Sequence, residues 1–209
     1  MAGADTTTVG TLRRRSPYAL IVLDLISDFS FPGGEELIRP ALAAARNIAL
    51  LRERARQRRV PCIYVNDNRG HWNTDRDEHI RTCLDAQTAA ARIVELLLPA
   101  ADDFFMMKPR HSGFFATPLH TLLNQLAVRT LILTGVTTHQ CVLFTAVDAY
   151  MRDFDLIIPG DCVASAAAAD SKRALALFAS SMNARIGPQR TVRFEQKSRT
   201  RKTRKTAAP

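Results

Sequence analysis

YALIVLDL, residues 18–25, is a near-continuous apolar run of strand length. A strand covered on one face alternates apolar with polar residues. A run without alternation suits a strand buried on both faces, as in a parallel sheet. PGG at 32–34 then breaks the chain. From Glu35 to Arg58 the positions Leu37, Ile38, Leu42, Ala45, Ile48, Ala49 and Leu51 recur at threes and fours, which predicts an amphipathic helix with an arginine-rich outer face. One β–α unit is complete.

The pattern repeats along the chain. VPCIYV (60–65) reads as a second strand, followed by the polar loop NDNRGHWNTDRDEH. Ala89–Leu98 has helical period and stops at Pro99. DFFMMK (103–108) is a third strand leading into PRHSGFFATP, and PLHTLLNQLA (118–127) is a helix with Pro118 in its first turn. TLILTG (130–135) and FDLIIPG (154–160) are further strands with a helix, Gln140–Met151, between them. Asp170–Met182 is the last helix, and ARIGPQRTVRF offers a final strand. Strands alternating with helices predict an α/β fold of three αβα layers, a Rossmann-like open parallel sheet of about six strands. In such a sheet, sites form beyond the carboxyl ends of the strands.

The chain has 209 residues, enough for one core, and a formal charge of +9. That charge is concentrated at the ends. Arg13, Arg14 and Arg15 lie in residues 1–16; Lys197, Arg199, Arg201, Lys202, Arg204 and Lys205 lie in 196–209 without an acid. The expected organisation is a flexible basic segment at 1–16, one domain at 17–195 and a disordered basic tail at 196–209. Nucleic-acid contact by the tail is open but not favoured over a solvated end. MAGADTTTVGTLRRR lacks the apolar stretch of a secretory signal, and no apolar run approaches the roughly 20 residues of a spanning helix, so a cytoplasmic protein without membrane contact is expected. The four cysteines, at 62, 83, 141 and 162, form no CxxC pair, which suits free thiols in a reducing compartment.

The strand-end rule selects Asp24 after the first strand, Lys108 after the third and Cys141 past the fourth. Taken singly, an Asp at a strand end is a turn residue, a Lys is a surface charge and a Cys is a small apolar side chain. Asp24, however, is flanked by apolar residues in IVLDLI, and Lys108 follows FFMM directly, so both are expected to leave the core. Together they suit nucleophilic chemistry. A thiol attacks as thiolate, favoured by a cation (Lys108) and by the helix beginning at Thr138–Cys141, while Asp24 takes its proton. Backbone N–H groups of the TGVTTHQC turn are candidate oxyanion donors.

On ALIVLDLISDF, KPRHSGFFATPLHTLL and LTGVTTHQCVLFTAVDAYMRDFDLIIPGDCVAS, residues 18–185 resemble the isochorismatase-like cysteine hydrolases, a superfamily that includes nicotinamidases and N-carbamoylsarcosine amidohydrolase. The resemblance implies Asp24 as general base and later acid, Lys108 as its charged partner and Cys141 as nucleophile. It also implies a cis peptide between Val136 and Thr137, with the amides of Thr137 and Cys141 as the oxyanion hole, and a homodimer or homotetramer.

Nicotinamidases of this superfamily hold a divalent metal through an Asp-x-His pair after the second strand. Here YVNDNRGHW places Asn66 and Asn68 there, and neutral amides replace carboxylate and imidazole poorly. The expectation is no metal and no cofactor, with Asp67 and His71 left open as ligands in a shifted register. Phe29, Asn66, Asn68, Trp72, His111, Phe115 and His139 follow strands and are candidates for the substrate pocket; each also reads as a loop or packing residue. Cys62, Cys83 and Cys162 read as structural, and Asp161 as a brace for the turn after the fifth strand. The expected function is metal-independent hydrolysis of a small amide or ureido compound through a thioester on Cys141. The alternatives are vinyl-ether cleavage of the isochorismatase type, in which the thiol is dispensable, and a binding protein acting through its basic tail.

Overall fold

The apolar run becomes β1 (Tyr18–Leu23), which lies in the middle of the sheet. Leu20 and Val22 pack into one core and Ala19, Ile21 and Leu23 into another, so both faces are covered and the run has no reason to alternate. The computed structural model describes residues 15–85 and 88–194. Its further elements are α1 (Gly34–Gln57), β2 (Cys62–Asp67), α2 (Arg76–Asp85), α3 (Ala91–Leu96), β3 (Phe104–Lys108), α4 (Leu119–Gln125) and β4 (Thr130–Val136). A wide π-type turn, Thr138–Val142, leads into α5 (Leu143–Tyr150). There follow β5 (Asp155–Pro159), β6 (Val163–Ala164), α6 (Ala168–Met182) and β7 (Arg185–Gly187).

The strands run in the order β3-β2-β1-β4-β5-β7, with β6 beside β4, and every pair is parallel. This is the α/β architecture expected, with the two-residue β6 as an additional strand. α1 and α3 pack over one face; α4, α5 and α6 pack over the other. The chain leaves β1 outward through β2 and β3, then returns to β4 on the opposite side. The crevice between the ends of β1 and β4 is therefore the topological switch point, where open α/β sheets place ligands. Gly135 lets the two strands meet there. Its φ is +114°, and a Cβ would lie 2.1 Å from the Leu23 carbonyl oxygen.

Several boundaries differ from the expectation. β2 runs two residues further, through Asn66 and Asp67, because its pairing with β3 continues to Asp67 opposite Lys108. The polar loop behind it ends in α2, where Asp75 Oδ1 caps the helix by accepting the Glu78 N–H at 2.9 Å and Ile80 and Cys83 supply the buried side. The outer arginines of α1 tie neighbouring segments. Arg52 donates to Tyr64 Oη, Arg54 to the Val192 carbonyl and Arg56 to Asp103. The final stretch yields only the three-residue β7 and a short turn, Gln189–Thr191. Asp161 braces the end of β5, accepting the Gln189 N–H at 2.7 Å. Ser16 is already buried and donates its N–H to the Leu126 carbonyl. The remainder of the basic segment at 1–16, apart from Arg15, and all of the tail at 196–209 lie outside the described residues. Among the described residues no helix is long and apolar enough to cross a membrane.

Candidate active site

Asp24 follows β1 with a left-handed backbone (φ +56°), so its side chain turns back over the strand ends. Its Oδ1 accepts the Asp67 N–H at 2.6 Å, which ties it to the end of β2. Lys108 closes β3 and is 0% exposed, so the ammonium needs partners. It has three: Nζ lies 2.9 Å from Asp24 Oδ2, 3.5 Å from Asp67 Oδ2 and 3.5 Å from Cys141 Sγ. Residues separated by tens of positions thus meet around one nitrogen. Asp67 was not assigned to this cluster from sequence; the register Asp67↔Lys108 brings it there.

Cys141 sits in the π-type turn after β4. The N–H groups of Gln140 and Val142 both donate to the Thr137 carbonyl, and the Thr138 hydroxyl meets Ser171 Oγ at 2.9 Å. The turn is thereby fixed against α6. The Val136–Thr137 peptide is cis. Val136, Thr137 and Cys141 line a cavity of about 270 Å³ together with Asp24, Asn66 and Asp67. Ile26, Phe31 and Leu37 supply an apolar wall, and Ser27, Arg69, His79, His111 and Gln140 complete the lining.

The electrostatics correct one expectation. Lysine and helix start were expected to lower the thiol pKa, with Asp24 taking the proton. Instead burial, and then the Asp24 carboxylate, push the Cys141 thiol up from its ordinary range, with Lys108 only partly opposing them. Burial pushes the Asp24 carboxyl up too, against Lys108 and its hydrogen bonds with Cys141, Lys108 and the Asp67 N–H. Burial pulls the Lys108 ammonium down, but Asp24, Cys141 and Asp67 hold it above its usual value. All three shifts run upward: burial outweighs the lysine at Cys141 and Asp24, and the surrounding acidic groups together outweigh burial at Lys108.

Of the pocket candidates, Asn66 and His111 line the cavity, and His111 Nδ1 lies 3.8 Å from Cys141 Sγ. Its ring stacks on Phe144. The others do not line it. Phe29, 3% exposed, points into the core because its left-handed backbone (φ +56°) turns it inward. Trp72 is 75% and Phe115 55% exposed. His139 is held away by Ser165, its Nδ1 2.9 Å from the hydroxyl. Asn68 lines a neighbouring polar cavity with His71, and its Oδ1 accepts the Gly70 N–H. Asn66 Oδ1 accepts the Ile26 N–H at 3.1 Å. Both amide oxygens at the metal-pair positions are thus committed to backbone, a poor fit to a divalent cation. Asp67 faces Lys108 rather than His71. Among the described residues no group of three or more His, Cys, Asp or Glu side chains is arranged to hold a metal ion. Cys62, Cys83 and Cys162 are buried and free; burial pushes Cys62 up to about 12 and Cys83 up to about 11.

Comparison with known proteins identifies the family. The Isochorismatase domain model matches residues 18–188. An uncharacterized isochorismatase family protein, YaaI of Bacillus subtilis, is 38% identical over 174 residues, covering 83% of this chain and 95% of its own. The crystal structure of a pyrazinamidase/nicotinamidase from Streptococcus mutans is 30% identical with a TM-score of 0.63, covering 81% of this chain and 99% of that one. An isochorismatase family protein from Desulfovibrio vulgaris is 26% identical with a TM-score of 0.67, covering 84% and 96%. With the domain match spanning the whole sheet and the strand-end cluster, the chain belongs to the isochorismatase family of hydrolases.

Proposed function

We propose that the protein is a metal-independent cysteine hydrolase that cleaves a C–N bond of a small amide or ureido compound through a thioester on Cys141. The carrying observation is the meeting of Asp24 and Cys141 at the buried Lys108 ammonium, with both side chains lining one cavity.

With burial holding the thiol pKa up, deprotonation accompanies attack. Asp24 takes the thiol proton as Sγ bonds to the substrate carbonyl carbon, and the carbonyl π electrons move to oxygen. The amides of Thr137 and Cys141 are the assigned donors to that oxyanion; losing one such donor typically costs about 3 kcal/mol of barrier. The tetrahedral adduct collapses, the C–N bond breaks and Asp24 returns the proton to nitrogen, so ammonia or an amine leaves. Water then attacks the thioester, giving its proton to Asp24. The acid product departs and Asp24 reprotonates the thiol. Lys108 keeps Asp24 ionised between turnovers and stays protonated throughout.

Incubation with a panel of small amides is expected to leave an acyl adduct, of substrate mass less its amine, on the peptide carrying Cys141. Cys141→Ala is expected to lose the adduct and at least about 10³-fold in kcat. Full turnover by Cys141→Ala on the identified substrate overturns the proposal, since vinyl-ether cleavage by Asp24 alone does not need the thiol.

A further inference from the structure

The hydrolytic cycle leaves His111 without a task. Its ring lines the cavity with Nδ1 3.8 Å from Cys141 Sγ, yet the residue is exposed, so it meets both the reacting sulfur and solvent.

The fold holds the ring there. Three consecutive residues of the loop after β3 engage α5. The His111 ring stacks on Phe144 with centroids 5.4 Å apart, the Ser112 hydroxyl donates to Asp148, and the Gly113 N–H donates to Thr145 Oγ1 at 2.9 Å. Phe144 and Asp148 are one helical turn apart, so they belong to one stripe of the helix. Ser112 and Gly113 are buried, which fixes the backbone that carries the ring. His111 is thus placed before any ligand arrives.

The contacts already made decide what Nδ1 can do. The thiol is hydrogen-bonded with Asp24, and Lys108 Nζ lies 3.5 Å from Sγ, so His111 is not needed as the base for the thiol. Other acceptors on the cavity wall are engaged elsewhere. His79 Nε2 lies 2.8 Å from the Ile26 carbonyl oxygen, Asn66 Oδ1 accepts the Ile26 N–H, and Gln140 Oε1 accepts the Thr137 hydroxyl. Asp24 Oδ1 takes the Asp67 N–H and Oδ2 faces Lys108. A water held by Asp24 alone can swing about that one bond. A second acceptor close to Sγ fixes where its lone pair points, and Nδ1 is such an acceptor when the ring proton is on Nε2.

We infer that His111 orients the water that hydrolyses the thioester, its Nδ1 accepting one O–H while Asp24 takes the proton of the other. The inference rests on the hydrolase reading, which supplies the acyl group. In this step the water oxygen bonds to the acyl carbon, the C–S bond breaks, and Asp24 passes the proton it received to sulfur. The O–H held by His111 leaves in the acid product. His111 itself neither gains nor loses a proton.

An activated ester, p-nitrophenyl acetate, tests this whatever amide the protein prefers. The p-nitrophenolate burst reads acylation, and loss of the acetyl mass from the peptide carrying Cys141 reads attack by water. His111→Phe keeps a ring to stack on Phe144 but has no acceptor. His111→Asn sets an amide oxygen close to the place of Nδ1, since both are attached to the γ carbon. In His111→Phe the burst rate is expected to stay within about threefold of the unaltered protein while the adduct decays at least about tenfold more slowly. His111→Asn is expected to recover most of the decay rate. Decay in His111→Phe within about twofold of the unaltered protein, equal slowing of burst and decay, or no recovery in His111→Asn overturns the inference. His111→Leu, which also lacks an acceptor, takes the place of His111→Phe should that variant fail to fold. Failure of the hydrolase reading is distinct: the unaltered protein then shows no acyl adduct on Cys141 from this ester or from the amides, and this inference falls with it.

Discussion

Lys108→Met should turn the stability of this protein into a function of the Asp24 charge. The ammonium is fully buried and lies 2.9 Å from Asp24 Oδ2, with Asp67 Oδ2 at 3.5 Å. Methionine fills similar volume but leaves the Asp24 carboxylate in the site without its cation. Stranding one member of a buried pair typically costs about 3–5 kcal/mol. The cost depends on pH because Asp24 can escape it by taking a proton. Its folded pKa already lies above the ordinary value of 3.8, and removing Lys108 raises it further. An acid with a raised folded pKa binds more protons folded than unfolded between the two values. Stability is then greatest below the unfolded pKa and falls as pH rises through the folded one, by at most about 1.4 kcal/mol per pH unit. Urea unfolding at about pH 5 and about pH 8 measures this directly. The Lys108→Met penalty should be larger at the higher pH, and Asp24→Asn/Lys108→Met should recover most of it. Equal penalties at the two pH values, or a double variant no more stable than Lys108→Met at the higher pH, would refute the assignment of Asp24 and Lys108 as one buried charge pair.

Two further outcomes follow from the same geometry. The Asp24 charge helps hold the Cys141 thiol above its ordinary value of 9.0, while Cys62, Cys83 and Cys162 are buried. Asp24→Asn should therefore speed alkylation of Cys141 by iodoacetamide near pH 8 by about tenfold per unit of pKa removed, read by peptide mass; an unchanged or slower rate contradicts that cause. Gly135→Ala should destabilise the fold by more than about 3 kcal/mol, because its Cβ would sit 2.1 Å from the Leu23 carbonyl oxygen at a φ of +114°. A shift in urea unfolding of less than about 1 kcal/mol would show that β1 and β4 can separate there without consequence.

The layer architecture was legible because it rests on period and punctuation. YALIVLDL is apolar on both faces and becomes a central strand; TLILTG does the same as its neighbour β4. Asp24, Lys108 and Cys141 were legible for a related reason. Parallel strands separated by helices all end on one edge, so residues that terminate apolar strands converge whatever their distance in sequence. What the period does not specify is where a loop residue points. Phe29 and Trp72 are both aromatic residues after a strand, yet one enters the core through a left-handed turn and the other faces solvent. No local pattern separates them, because each outcome depends on what the rest of the fold leaves open at that spot.

Strand length mattered more than residue type for the inner pocket. Ending the second strand at Val65 leaves Asn66, Asp67 and Asn68 as an undifferentiated polar loop. Extending it through Asp67, as pairing with β3 requires, gives successive residues opposite faces: Asn66 toward α1, Asp67 toward Lys108. The direction of the thiol's shift was not legible, on different grounds. A nearby lysine and a helix start both favour thiolate, and both signals are present in sequence. Their competitors are burial, which is a property of the folded packing, and a carboxylate brought in from another strand. Burial acts on Cys141 more strongly than Lys108 does. On the proposed mechanism, a buried nucleophile with its base already in place gains little from ionising early, since a thiolate would face the Asp24 carboxylate across the same ammonium. In that mechanism, holding the proton until the carbonyl arrives limits charge build-up in the cluster and moves charge only when the proposed oxyanion donors can receive it.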